Sequence, residues 1–253
     1  MTDDRLIVAL DVPDLQGARK LLKELEGVVT YFKIGFELFT AYGWDAVALV
    51  KSSGAKVFLD LKLHDIPNTV ARTAAVICDH EVDMFNVHAL GGVEMMQEVR
   101  KVVDAAVTAR HKKKPLVIAV TILTSHNEEN LSKQLGIAKP LKEEVLHLAR
   151  MAQEGGLDGV VCSPQEIQML RQEFQGQSPK TGTVPGTVPE KGDRSFIIVT
   201  PGIRPAGSEK GDQKRTFGPR EAIDAGSSYI VVGRPITAAP HPREAAIQIL
   251  NSL

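Results

Sequence analysis

Eight short runs rich in Val and Ile recur along the chain, separated by longer stretches with helical periodicity, and this alternation restricts the fold more than any other feature. The runs are Leu6–Asp11, Thr30–Ile34, Lys56–Leu61, Met84–His88, Leu116–Thr121, Gly159–Ser163, Phe196–Thr200 and Tyr229–Gly233. Near-continuous apolar runs of this length predict strands buried on both faces, as in a parallel sheet. Between them, Leu15–Glu26, Glu37–Ser53, Asn68–His80, Gly92–Ala109, Leu141–Glu154 and Pro164–Phe174 mix apolar stripes with Lys, Arg and Glu, the pattern of helices packed on such a sheet. An eightfold βα alternation closes more naturally into a barrel than into an open sheet. The expectation is therefore an α/β chain forming a single (β/α)8 TIM barrel domain over residues 1–253, with an open doubly wound sheet as the alternative. The length of 253 residues with 43% hydrophobic content suits one core of that size.

One stretch breaks the pattern. Residues 177–194, reading QSPKTGTVPGTVPEKGDR, repeat Gly-Thr-Val-Pro and lack apolar periodicity, which predicts a flexible low-complexity insertion. It precedes the seventh strand, on the barrel side opposite the loops that build active sites, so no functional role is expected of it.

Charge narrows the function. Thirty Lys and Arg balance 31 Asp and Glu, for a net charge of -1, which argues against a nucleic-acid or anionic-membrane partner. The chain contains no run near the roughly 18 to 20 apolar residues of a membrane span, and its start lacks a signal-peptide pattern, so a cytoplasmic protein is expected. Cys78 and Cys162 have no CxxC spacing and are read as buried thiols rather than as a disulfide or metal site.

In a barrel of this kind, chemistry sits at the carboxyl ends of the strands. The polar residues that fall there are Asp11, Lys33, Asp60, Lys62, His88, Thr121, Thr124, Ser125, Arg204 and Arg234, with Gly202 and Gly233. The third strand carries the sharpest signal, because period-two geometry points Asp60 and Lys62 to one face and Leu61 to the other. Opposite charges placed together at a barrel mouth predict an ionised network able to donate a proton; an ion pair that merely caps the strand is the bland alternative. The loops after the seventh and eighth strands, TPGIR and VGRPI, predict a phosphate site in which Gly202 and Gly233 admit an anion to the backbone and Arg234 adds a charged contact. The Gly- and charge-rich segment from Arg204 to Arg215 reads as a closing lid. His88 is read as a hydrogen-bonded structural imidazole, His64 as serving either packing or the site, and Trp44, Met95 and Met96 as core or interface residues.

These stretches together carry a family resemblance over nearly the whole chain. IVALDV with Asp11, YFKIG with Lys33, DLKLHDIPNT from Asp60 to Thr69, NVHALGG, VTILTS, VTPGIRP, DQKR with Gln213 and VVGRPI resemble the bacterial type of orotidine 5'-phosphate decarboxylase. The resemblance implies a lyase that converts orotidine 5'-phosphate to uridine 5'-phosphate (UMP) and carbon dioxide in pyrimidine biosynthesis, without cofactor or metal. It implies an array of Lys33, Asp60, Lys62 and Asp65, with Lys62 as the proton donor to C6. Asp11 and Lys33 are similar to the residues that hold the ribose hydroxyls, and Thr124 and Ser125 to those near the pyrimidine. Arg204, Gln213, Gly233 and Arg234 match the phosphate grip. The resemblance further implies a homodimer in which Asp65 and Thr69 reach the neighbouring site. Two other readings stay open: a related sugar-phosphate decarboxylase or aldolase that uses magnesium and an enediolate, and a catalytically silent barrel that binds nucleotide phosphate.

Overall fold

Alternate side chains of each apolar run have to be buried on opposite faces, and the chain does this by closing its sheet on itself. The structure is a computed structural model that describes residues 2–110, 113–174, 196–205 and 217–253. The strands are β1 (Leu6–Ala9), β2 (Tyr31–Ile34), β3 (Lys56–Leu63), β4 (Met84–His88), β5 (Leu116–Val120), β6 (Gly159–Val161), β7 (Ile197–Thr200) and β8 (Tyr229–Val232). They pair in parallel in sequence order, and β8 returns to β1 with Leu6 opposite Ile230 and Val8 opposite Val232, which closes the barrel. The eight expected strands thus correspond one for one, and the open sheet is excluded.

Two apolar layers follow from the period of two. Leu6, Val8, Val57 and Leu59 face outward into the main core between sheet and helices. Ile7, Ala9, Tyr31, Phe58, Met84, Ile118, Val199 and Val231 face inward and fill the barrel. Stepping two residues further along the same inward rows leads to Asp11, Lys33, Asp60 and Asn86. The apolar plug thereby becomes the floor of a charged mouth.

The helices largely match their periodicity. Asp14 caps the helix Leu15–Glu24 by accepting from the Gly17 amide at 2.7 Å, and the helix Leu141–Glu154 has the expected bounds. The stretch expected as one helix over Glu37–Ser53 is two, Phe36–Tyr42 and Trp44–Ser52. Gly43 separates them at φ 54°, ψ -131°, a conformation a helix cannot contain; the apolar stripe continues on both sides, which is why periodicity does not reveal the break. Met95 and Met96 are fully buried, and Trp44 packs on the main core with its ring stacked on His80 at 3.7 Å. Cys78 and Cys162 are buried, reduced thiols. Among the described residues no helix is long and apolar enough to cross a membrane. The 177–194 insertion, Gln213 and the expected lid beyond residue 205 lie outside the described residues.

Candidate active site

The longest strand builds the centre of the site. β3 runs on to Leu63, and its pairing with β4 slips: Leu59 lies opposite Phe85, whereas Leu63 lies opposite Val87. Three residues of β3, Asp60, Leu61 and Lys62, therefore stand against one of β4, Asn86. Lys62 takes up the excess in the left-handed region at φ 47°, where a side chain costs about 1–2 kcal/mol. The period-two reading places Asp60 and Lys62 at the mouth correctly but does not anticipate this bulge.

Four charges alternate across the floor of the mouth. The Lys33 ammonium donates to Asp11 at 3.0 Å and lies 3.3 Å from the other side of the array at Asp60, while the Lys62 ammonium donates to Asp60 Oδ1 at 2.8 Å. Side-chain exposure is 11% for Lys33, 14% for Asp60 and 27% for Lys62, so solvent screens the contacts of Asp60 weakly, whereas Asp11 is 57% exposed and its contact with Lys33 is screened more. At an effective dielectric near 20 each of the two pairs made by Asp60 attracts by roughly 5 kcal/mol, against a desolvation cost of several kcal/mol per ion. Stability alone does not account for such an array, because the two quantities nearly cancel. For Lys33 burial opposes the charge, but Asp60 and Asp11 outweigh it and hold its pKa above the ordinary lysine value. Gly35 makes room for this ammonium, since a Cβ there would lie 3.0 Å from Lys33 Nζ.

Sequence reasoning missed two neighbours of Lys62. The Asn86 side chain accepts from the Lys62 amide at 2.7 Å and donates to Asp60 Oδ1 at 2.7 Å. Its signal was one polar residue on an inward position of an apolar strand. Phe36, 56% exposed, presents its ring 5.3 Å from the Lys62 ammonium, and nothing in its helix-start context marks it. His88 accepts from the Leu90 amide through Nδ1 at 3.3 Å and stacks with His64 at 5.4 Å. Burial, then the charges of His64 and Lys62, lower its pKa to about 4, so it is a neutral imidazole at pH 7.

The loops after β5, β7 and β8 complete the mouth, the β8 loop beside Asp11. Thr124, Gly202, Arg204, Gly233 and Arg234 line one cavity of about 390 Å³ with Asp11, Lys33, Asp60 and Lys62. Gly202 sits at φ 78°, open to glycine without strain, and lets the TPGIR loop turn into the cavity. Burial, and then the neighbouring Arg234, lower the Arg204 pKa, the mark of two cations brought together where an anion would relieve their repulsion. Of the remaining expected residues, Ser125, Asp65 and Thr69 are exposed and do not line this cavity; Asp65 accepts from the Ile66 amide at 2.7 Å. Among the described residues no cluster of three or more His, Cys, Asp or Glu is arranged to hold a metal ion. A larger groove of about 1040 Å³ lies among the outer helices and carries none of these convergent charges.

A closed parallel barrel with a charged cavity at the carboxyl ends of its strands defines the class, a (β/α)8-barrel enzyme. The family model described as Orotidine 5'-phosphate decarboxylase / HUMPS family matches residues 4–249, and the chain belongs to this family. It is 48% identical to the orotidine 5'-phosphate decarboxylase of Moorella thermoacetica over 96% of this chain and 89% of that protein. The Nostoc sp. protein of the same name is 43% identical over 100% of this chain and 98% of its own length. Among solved structures, the orotidine 5'-phosphate decarboxylase of Lactobacillus acidophilus superposes with a TM-score of 0.79 at 37% identity, covering 99% of both chains.

Proposed function

We propose that this chain decarboxylates orotidine 5'-phosphate to UMP and carbon dioxide, in pyrimidine biosynthesis in the cytoplasm. The observation that carries the reading is the alternating array Asp11, Lys33, Asp60, Lys62 sharing one cavity with Arg204 and Arg234. Its volume lies in the range of small-molecule sites, and its charge is divided as a phosphorylated nucleoside requires. Arg204 and Arg234, with the backbone at Gly202 and Gly233 and with Gln213, grip the phosphate. Asp11 and Lys33 hold the ribose hydroxyls, and Thr124 and Ser125 meet the pyrimidine.

Breaking the bond between C6 and the carboxylate leaves an electron pair in an in-plane orbital of C6, which the ring π system cannot absorb. The Lys62 ammonium stabilises this charge and transfers its proton to C6, and the resulting amine recovers a proton from water. Asp60 holds Lys62 at 2.8 Å and places like charge beside the departing carboxylate. No cofactor enters this sequence. Phosphate binding far from C6 supplies orientation energy.

The active unit is a homodimer in which Asp65 and Thr69 complete the neighbouring site. Their exposure in the single chain supports this, as do the exposed Phe36, Ile66 and Leu90, which lie in the segments that directly follow β2, β3 and β4.

Loss of orotidine 5'-phosphate absorbance, followed in excess chelator beside Lys62→Ala, tests the reaction. The parent is expected to turn over under these conditions and the variant to lose at least about 10²- to 10⁴-fold in kcat. A folded parent that is silent until magnesium is added, or a Lys62→Ala variant that keeps its rate, overturns the assignment.

A further inference from the structure

We infer that Asn86 is a positioning residue for Lys62 and Asp60, an inference that rests on the decarboxylase reading above. Asn86 is 1% exposed, on an inward row of β4 between the Met84 plug and His88 at the rim. A buried carboxamide has to satisfy its polar atoms. Here both described hydrogen bonds end on residues of the charged array, one on backbone and one on side chain: Oδ1 accepts from the Lys62 amide and Nδ2 donates to Asp60 Oδ1, each at 2.7 Å.

The bulge explains why a side chain is needed at this point. With Asp60, Leu61 and Lys62 opposed by one residue, the main-chain ladder between β3 and β4 is interrupted from Leu59 to Leu63. The carboxamide supplies the missing acceptor to the strand and holds Lys62 at φ 47° without the help of a glycine. The left-handed turn directs the side chain, so the bond to the Lys62 amide governs where its ammonium points.

The second bond acts on the carboxylate. Asp60 Oδ1 receives Asn86 Nδ2 and Lys62 Nζ, while Oδ2 faces Lys33 at 3.3 Å. Three donors on two oxygens leave the carboxylate one orientation. One amide group thus sets the proton donor by its backbone and the neighbouring anion by its side chain, and the spacing between the two depends on both bonds.

The full-length parent, Asn86→Ala and Asn86→Asp are compared in kcat, KM, melting temperature and pH-rate profile, with Asn86→Ala also placed in the Lys62→Ala background. Asn86→Ala is expected to lower kcat about 10- to 100-fold with KM within about threefold of the parent, the size of loss produced by a misplacement near 1 Å. In the Lys62→Ala background the same change is expected to cost less than about threefold, because the group it positions is gone. Asn86→Asp matches the side chain in shape but sets a second carboxylate against Asp60, and the acidic limb of its pH-rate profile is expected to move up by about one unit. Variants that lose melting temperature while keeping the kcat and pH profile of the parent overturn the inference. So does a rise in KM at constant kcat, or a failure of both variants to fold, since Asn86 would then serve binding or folding. A parent without turnover defeats the decarboxylase reading instead. The Lys62 13Cε shift, which needs no substrate, then decides: movement in Asn86→Ala supports the positioning role, and an unmoved signal overturns it.

Discussion

Burial opposes the charge on Lys33 but Asp60 and Asp11 outweigh it, whereas at His88 burial and then the charges of His64 and Lys62 all act against the imidazolium. The contrast shows how closely placed partners, rather than depth alone, decide ionisation in this site. The sign for His88 follows from its depressed pKa. Between the ordinary value of 6.5 and about 4 the unfolded chain binds a proton that the folded chain refuses. Stability from this group is intact above pH 6.5 and is lost as pH falls toward 4. His88→Asn retains an acceptor for the Leu90 amide without a titrating ring, so its urea midpoint is expected to fall less than that of the parent between pH 7 and pH 4.5. Parallel decline of the two would show that His88 contributes nothing to acid sensitivity. At this scale the sequence marked Asp11, Lys33, Asp60 and Lys62 because charges at strand ends are conspicuous. It hid Phe36 because an exposed aromatic at a helix start is common, and its distance to Lys62 exists only after β2 and β3 are paired.

Strands in this barrel are fastened at the end opposite the chemistry. The Arg171 guanidinium, on the helix Ile167–Glu173, donates to the Gly226 carbonyl at 2.5 Å, the Phe196 carbonyl at 2.6 Å and Ser228 Oγ at 2.7 Å. These partners lie where β7 and β8 begin, so one side chain ties together the two strands whose far ends carry Arg204 and Arg234. Asp158 does the same for β5 and β6, accepting from the Val117 amide at 2.7 Å and from Arg100 at 3.2 Å. Arg171→Met is expected to cost about 2–3 kcal/mol by taking the charged donor from the part-buried Gly226 and Phe196 carbonyls, with kcat unchanged below the melting transition. Calorimetry beside steady-state rates measures both; a selective loss of kcat at unchanged stability would place Arg171 in the site instead. The elements themselves were legible because fully buried parallel strands and amphipathic helices have different periods. The break at Gly43 and the slip in β3 were not, because both interrupt backbone geometry while the side-chain pattern runs on.

For the whole molecule the outstanding question is whether one chain suffices, and the exposed Asp65 and Thr69 make that measurable. Lys62→Ala and Asp65→Ala, each nearly inactive alone, are expected on mixing and subunit exchange to recover about one quarter of the parent activity. Half the dimers are then mixed, and each mixed dimer holds one site with an intact Lys62 and an intact Asp65. No recovery despite demonstrated exchange would confine each site to its own chain. The sequence by itself determined the number and order of the strands, the face on which chemistry falls and the charges that gather there, because burial imposes a period that local composition records. Only the tertiary structure decided that Lys62 turns left-handed, that Asn86 bonds to its amide, and that the two arginines share one cavity with the array. Those relations depend on strand register and on the closure of β8 against β1, which join residues far apart in the chain and leave no local period to read.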